Sequence, residues 1–149
     1  MIDVQVHQRR SVDASAGVRR GVQKRMMDAA SQGFSKSQEA VASNATDTGH
    51  LLQSGYPPVE ESDGTIRWGY TADYAKAVEE GSRPHWPPIQ PLLGWARRVL
   101  GNESAAYAVQ QKIAREGTNP VGFVARGVDA MKASLRAHGL ASSVRSELR

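Results

Sequence analysis

The sequence predicts an α+β protein in which a small, mainly antiparallel sheet packs against a long N-terminal helix, with additional helices in the C-terminal half. Three observations lead to this fold class. Apolar residues alternate in residues 2–8, one apolar stripe runs through residues 12–44, and an Asp-Gly turn signal separates two short segments near residue 63. We expect a single domain over residues 1–139, followed by a flexible basic tail over residues 140–149.

The first two elements follow from their periodicity. In IDVQVHQ, residues 2–8, the apolar Ile2, Val4 and Val6 alternate with polar residues, which predicts a strand with one buried face. Residues 12–44 contain no proline, and apolar residues recur there at spacings of four and seven, as on one face of an amphipathic helix. An isolated helix has little stability in water, so this stripe needs a sheet or a partner. The stripe consists of Val22, Met26, Ala30, Phe34, Val41 and Ala45.

A β-hairpin is predicted over residues 56–71. Asp63-Gly64 is a strong turn signal, and Pro57-Pro58 in the first strand place that strand at the edge of a sheet or in a loop. The second strand alternates large apolar residues on one face: Ile66, Trp68 and Tyr70.

Helices and one extended segment account for the rest. Residues 74–80 predict a short helix ended by Gly81, and four of the seven prolines then fall between residues 84 and 91, which makes that segment stiff. Three further helices are predicted from apolar spacing and cap residues: 89–100 before Gly101, 103–116 after Asn102, and a last helix after Asn119-Pro120 with Val124, Val128, Met131 and Leu135 on one face.

The net charge of +4 conceals an alternation along the chain. Residues 1–36 carry seven Lys and Arg against three Asp and Glu, residues 37–96 three against eight, and residues 97–149 nine against four. This basic-acidic-basic pattern favours contacts between copies, or with other proteins, through surfaces of opposite sign. No run approaches the roughly 18 apolar residues of a membrane span, so we expect a protein made in the cytoplasm and outside any membrane.

Histidines and serines form no recognisable catalytic or metal-binding pattern. None of the histidines has a second one three or four residues away, no serine lies in a G-x-S-x-G motif, and there is no cysteine. Phosphate-binding glycine motifs are absent as well. We therefore expect no enzyme activity, no metal and no cofactor. A small hydrolase that pairs His50 with Asp47, or His85 with Glu80, stays an alternative.

The segment GSRPHWPP, residues 81–88, is the strongest candidate for a contact with another protein. Its prolines reduce the entropy lost on docking, and Arg and Trp are residue types that anchor interfaces. Trp86 could instead cover the core beside Leu92 and Leu93. The predicted interface residues are Tyr74, Glu79, Glu80, Arg83, His85 and Trp86 in the acidic part of the chain, and Arg19 and Arg20 on the basic helix.

Basic residues of the long helix allow a second interpretation. Arg19, Arg20, Lys24 and Arg25 lie on neighbouring helical faces, which are either an ordinary solvated surface or a track for phosphates. A basic nucleic-acid-binding protein is therefore an alternative. Six of the nine aromatic residues lie instead in the acidic residues 37–96, which argues against a platform that stacks bases.

Three motifs, taken in order, resemble the tail-component family of long-tailed phages. The first contains Asp47, Thr48, Gly49 and Leu51; the second contains Tyr74, Ala75, Val78, Glu79, Gly81, Arg83, Pro84 and His85; the third contains Gly117, Thr118, Pro120 and Phe123. The likeness covers roughly residues 2–138. It departs from the family at Ser82, where threonine is usual, at VARGVDA, which replaces a leucine-proline step, and in two additional predicted helices over residues 89–116.

This resemblance implies a structural protein of the virion neck, a tail-completion or tail-terminator protein. Proteins of this kind form a ring, commonly a hexamer, that caps the tail tube and joins it to the head-side connector or stopper protein. The implied partners are other copies, the tail tube protein and the connector, with non-specific passage of DNA through the ring lumen. A head-tail adaptor or stopper is the nearest alternative. The implied location is the tail or neck of the virion.

Overall fold

A computed structural model describes residues 1–7, 16–45 and 47–147 of the chain, with side chains as far as residue 137. Its elements, in chain order, are β1 Ile2–Val6, α1 Ala16–Asn44, α2 His50–Gln53, β2 Gly55–Glu60, β3 Ile66–Tyr70, α3 Ala75–Glu80, α4 Ile89–Leu100, α5 Ala105–Glu116 and α6 Phe123–Glu147. They confirm the predicted α+β class, with a three-stranded antiparallel sheet, a long N-terminal helix and several C-terminal helices.

The sheet has the order β1-β3-β2, so β3 is the central strand. Residue 2 of β1 pairs with Tyr70 on one side of β3, and Gly55 of β2 pairs with the same residue on the other side. The register of β2 shifts between Tyr56 and Val59, across the two prolines. Because proline cannot donate to a ladder, β2 is an edge strand, as predicted.

The β2–β3 hairpin turns at Asp63-Gly64, as predicted. The Asp63 carboxylate accepts a hydrogen bond from the amide nitrogen of Thr65 at 2.8 Å, and this bond lowers the pKa of Asp63. The amide of Gly64 donates to the carbonyl of Glu61 at 2.9 Å. The turn is therefore held by its own residues.

The core lies between β3 and the two long helices. Ile66, Trp68 and Tyr70 of β3 are fully buried, which confirms the face predicted from their alternation. Phe34 of α1 meets Trp68 edge-on with ring centroids 5.9 Å apart, and Phe123 of α6 meets Tyr70 edge-on at 4.9 Å. Each large apolar side chain buried here contributes about 1.5–3 kcal/mol, which is what the amphipathic α1 needs to be stable.

Helices α1 and α6 come into backbone contact at Gly33 and Gly127. A β-carbon on Gly33 would lie 2.8 Å from the carbonyl oxygen of Gly127, and one on Gly127 would lie 2.6 Å from the carbonyl oxygen of Gly33. Further along the pair, Arg25 of α1 is buried and donates to the carbonyl and the hydroxyl of Ser134 in α6. Arg25 therefore belongs to the helix–helix contact, and its predicted place on a solvated or phosphate-binding basic face is wrong.

Some element boundaries differ from the prediction. Strand β1 ends at Val6, and α5 begins at Ala105, because the side-chain oxygen of Asn102 accepts from the amide of Ser104 at 3.1 Å in a turn that precedes the helix. Helix α6 begins at Phe123 rather than directly after Asn119-Pro120.

The C-terminal boundary also differs. Helix α6 runs to Glu147, past residue 139, where we predicted the start of a tail. Residues 8–15, 46 and 148–149 lie outside the described part of the chain, and with them lies the predicted start of α1 at residue 12. No helix of the described ranges combines the length and the apolar character that crossing a bilayer requires.

Candidate assembly surface

Residues 81–88, which we call the strap, are tied at their start to the segment before α6. Ser82 and Thr118 exchange two backbone hydrogen bonds of 3.1 and 3.0 Å. Beside them, Gly81 and Gly117 have φ values of 74° and 76° with ψ values of 179° and −156°, a region that only glycine adopts. A β-carbon on either would collide with the backbone of the opposite segment. The second and third motifs of the sequence thus meet where only glycine fits.

The first motif joins the same region through two side chains. The Asp47 carboxylate accepts two hydrogen bonds from the Arg98 guanidinium, at 2.9 Å from Nε and 2.6 Å from Nη2. These bonds hold the pKa of Asp47 below its ordinary range and raise the pKa of Arg98. His50 Nδ1 lies 3.0 Å from the hydroxyl of Tyr74, whose pKa is raised by burial and by the nearby Asp47.

Glu79 caps helix α6. Its carboxylate oxygens accept hydrogen bonds from the backbone amides of Val124 at 2.8 Å and Ala125 at 2.9 Å. The first turn of a helix has amides without partners inside the helix, and a negative charge there also interacts well with the helix dipole. We predicted Glu79 as an interface residue, and the structure gives it this internal contact. Its neighbour Glu80 is exposed.

Residues 83–86 of the strap are exposed, and the strap is attached to helix α5 at the next residue. Pro87 is buried, and its carbonyl accepts a hydrogen bond from Gln110 of α5 at 2.8 Å. His85 Nδ1 lies 2.9 Å from the carbonyl oxygen of Arg83, so this nitrogen carries the hydrogen. Trp86 is 66% exposed, and the alternative in which it covers the core is therefore wrong. A large apolar side chain on a fixed, proline-rich segment is well suited to anchor another protein.

Helices α4 and α5 form a hairpin, which we call the arm, and a groove lies between the arm and the body. The groove has a volume of about 1010 Å³. Its apolar lining comes from the arm and from α3, and includes Val78, Leu92, Trp95, Val109 and Ile113. Charged residues at the same groove are Asp47, Arg98, Lys112 and Glu116. An apolar hollow with a few charged groups is the usual form of a binding site.

Two predicted interface residues, Arg19 and Arg20, lie far from the strap. Gln23 of α1 donates to the carbonyl of Gly64 in the hairpin turn, whereas Ser37 of α1 bonds the hydroxyl of Tyr70 at the opposite end of β3. The chain leaves β3 at that end towards α3 and the strap. With a rise of 1.5 Å per residue, the exposed Arg19 and Arg20 are about 25 Å along α1 from Ser37. The structure thus separates the predicted interface residues into two groups at opposite ends.

Neither histidine proposed for a hydrolytic site has the carboxylate partner considered from the sequence. His50 contacts Tyr74, Asp47 contacts Arg98, and His85 contacts the carbonyl of Arg83. Within the described residues, no group of three His, Asp or Glu side chains is placed to hold a metal ion.

The groove was not predicted from the sequence. Its ion pair joins Asp47 to Arg98 across 51 positions, and no local pattern indicates such a contact. The one available signal was the number of apolar residues in the arm. Val99, Leu100 and Tyr107 are all about half exposed, so the arm carries more apolar surface than its own packing buries.

Comparison of the chain with known proteins finds no matching family model, no matching curated protein and no matching solved structure.

Proposed function

We propose that this protein is a structural component of the virion neck, a tail-completion or tail-terminator protein that forms a ring, caps the tail tube and joins it to the head-side connector. One observation carries the proposal: the three motifs of the resemblance, separate in sequence, lie together around the strap. Gly81 and Gly117 each lie against the backbone of the opposite segment there, Glu79 caps α6, and the turn at Asp47 contacts the arm. Residues that determine such a surface are the ones a shared family would retain.

The distribution of charge supports assembly between copies. Exposed aromatic and acidic residues, among them Tyr74, Glu80 and Trp86, lie at the strap end, whereas the exposed Arg19 and Arg20 lie at the other end of α1. Groups at opposite ends of one subunit cannot meet each other, but they can meet in neighbouring subunits. Contacts of this head-to-tail kind produce rings when the rotation closes. Any basic residues that face the lumen would contact DNA without reading its sequence.

Tail assembly is the direct test. A tailed phage that lacks this gene should accumulate heads and tails that do not join, and the wild-type gene supplied in trans should restore infectious particles. Trp86→Ala should restore far fewer, because an exposed anchor at an interface is often worth 2 kcal/mol or more. Tyr107→Ala, which removes another exposed aromatic residue, is the matched control.

Two outcomes would contradict the proposal. Normal tails joined to heads in the absence of the gene would exclude a neck function. Salt-sensitive binding of duplex DNA that is lost in Arg19→Glu with Arg20→Glu, combined with normal assembly by that variant, would favour the nucleic-acid-binding alternative. A head-tail adaptor or stopper would be distinguished by which partner, connector or tail tube, the purified ring binds.

A further inference from the structure

The strap and the groove lie on neighbouring faces of helix α5. Val109 and Ile113 face the groove, whereas Gln110 faces the strap and holds Pro87. Successive residues of a helix are separated by about 100°, so these two faces point in different directions. Trp86 is 66% exposed and is not among the residues that line the groove of its own subunit. One subunit thus carries both a projecting aromatic residue and an open apolar hollow.

The groove matches the side chain that the strap presents. Trp carries roughly 150–250 Å² of surface to bury, and a hollow of about 1010 Å³ has room for an indole ring and an adjoining proline. When an indole is buried, its N–H needs an acceptor. The exposed Glu116 carboxylate at the groove can provide one.

Charges near the strap and the groove are complementary as well. Arg83 lies three residues before Trp86 on the exposed strap, and Glu80 lies six residues before it. The groove presents the carboxylate of Glu116 and the amine of Lys112, both exposed and neither in an ion pair with any residue that the structure describes. A strap from a second copy can therefore place a cation near Glu116 and an anion near Lys112. Such charge matching favours one orientation of docking over others.

We propose that Trp86 of one subunit binds in the groove between the arm and the body of a second copy. This inference rests on the ring of the proposed function and identifies the surface that receives the strap. The contact is heterologous: each subunit inserts its Trp86 into one neighbour and receives Trp86 from the other. Repetition of such a contact builds a ring if the rotation closes. It assigns the site that receives Trp86 to the groove and leaves to the basic end of α1 the attraction between charges of opposite sign on neighbouring copies.

Mixing two variants tests this contact. Trp86→Ala keeps the groove but has no anchor, and Val109→Glu keeps the anchor but places a carboxylate in the apolar lining. Sedimentation velocity should find each variant monomeric at concentrations where the wild type forms a ring, with association weakened at least about 30-fold. An equimolar mixture should form a heterodimer and nothing larger, because one complete contact remains available. Heterodimer formation also demonstrates that both variants are folded.

Several results would overturn the inference. These are a wild-type chain that stays monomeric at all concentrations, a Trp86→Ala variant that forms the same ring as the wild type, or a mixture of the two folded variants that forms no heterodimer. Loss of the ring in Arg19→Glu with Arg20→Glu, but not in Val109→Glu, would assign the receiving surface to α1. Tyr107→Ala should form the normal ring.

The outcome is separable from that of the proposed function. A ring that needs Trp86 and the groove, in a protein that is dispensable for tails, would keep this contact and contradict the neck function. If the protein is needed for tails but its ring is unaffected by either variant, the neck function would be kept and this contact would be contradicted.

Discussion

Replacement of Glu79 by alanine tests whether this carboxylate is an internal cap. The change removes the acceptor of two hydrogen bonds, from the amides of Val124 and Ala125, and removes a negative charge from the first turn of α6. A lost N-terminal cap costs about 0.5–2 kcal/mol, and a charge at a helix N-terminus contributes about 0.3–1 kcal/mol. The two contributions add, but water partly screens the half-buried Glu79. We therefore expect a loss of about 2 kcal/mol in the free energy of unfolding, below the combined maximum.

Urea denaturation followed by circular dichroism measures this loss, with the exposed Glu80→Ala as the matched control. The control should lie within about 0.5 kcal/mol of the wild type. Glu79→Ala should also lower the Tm by about 6 °C in a chain of this length. Glu79→Gln should be intermediate, because its amide keeps one acceptor oxygen. Equal stability of the Glu79→Ala and Glu80→Ala variants would refute the cap and return Glu79 to the exposed surface.

Three further results are expected. Gly117→Ala should lower the free energy of unfolding by about 3 kcal/mol or more, because the backbone conformation of Gly117 and its closeness to the strap both exclude a β-carbon. Gly101→Ala, with φ of 66° and open space around it, should lower it by only about 1 kcal/mol. Similar losses of stability in the two variants, measured by thermal unfolding, would contradict the close contact. Tyr70→Phe should cost about 1–2 kcal/mol, because its hydroxyl lies 2.9 Å from the buried Ser37 hydroxyl, and a double-mutant cycle with Ser37→Ala should give a coupling energy clearly different from zero. Arg98 holds the pKa of Asp47 below its ordinary value, so the stabilisation by Asp47 is complete above about pH 5 and is lost as the pH falls through its folded pKa. The urea midpoints of the wild type and Asp47→Asn should therefore differ at neutral pH and converge in acid. A difference that stays constant with pH would exclude this linkage.

Local sequence patterns were sufficient for most of the fold. Alternation in β1 and β3, the Asp63-Gly64 turn and the prolines of β2 each depend on neighbouring residues, so each could be predicted from a short window. Helix boundaries were less predictable where the capping residue is distant in sequence from the helix that it caps. The first turn of α6 is capped by Glu79, 45 residues earlier, and a carboxylate at that distance gives no local start signal.

The candidate surface was predicted only in part. The prolines around Trp86 indicate an extended segment, but they left open whether its side chain is exposed or covers the core, and the structure decides for exposure. The burial of Arg25 could not be predicted, since the position on α1 that faces Ser134 is set by the closeness of the two helices at Gly33 and Gly127. The groove escaped prediction for a similar reason: it exists only because the arm folds back towards the turn at Asp47.

The bridge between Ser82 and Thr118 has a consequence for how this protein can vary. It brings together the two points at which the arm leaves and rejoins the body, so the body closes beneath the arm. The entropy cost of loop closure grows only slowly with the number of residues inserted between such points. We therefore expect that residues 89–116 can be lengthened or exchanged while the sheet and the α1–α6 pair keep their packing. Changes confined to the arm would then alter the partners that this protein binds without altering its core.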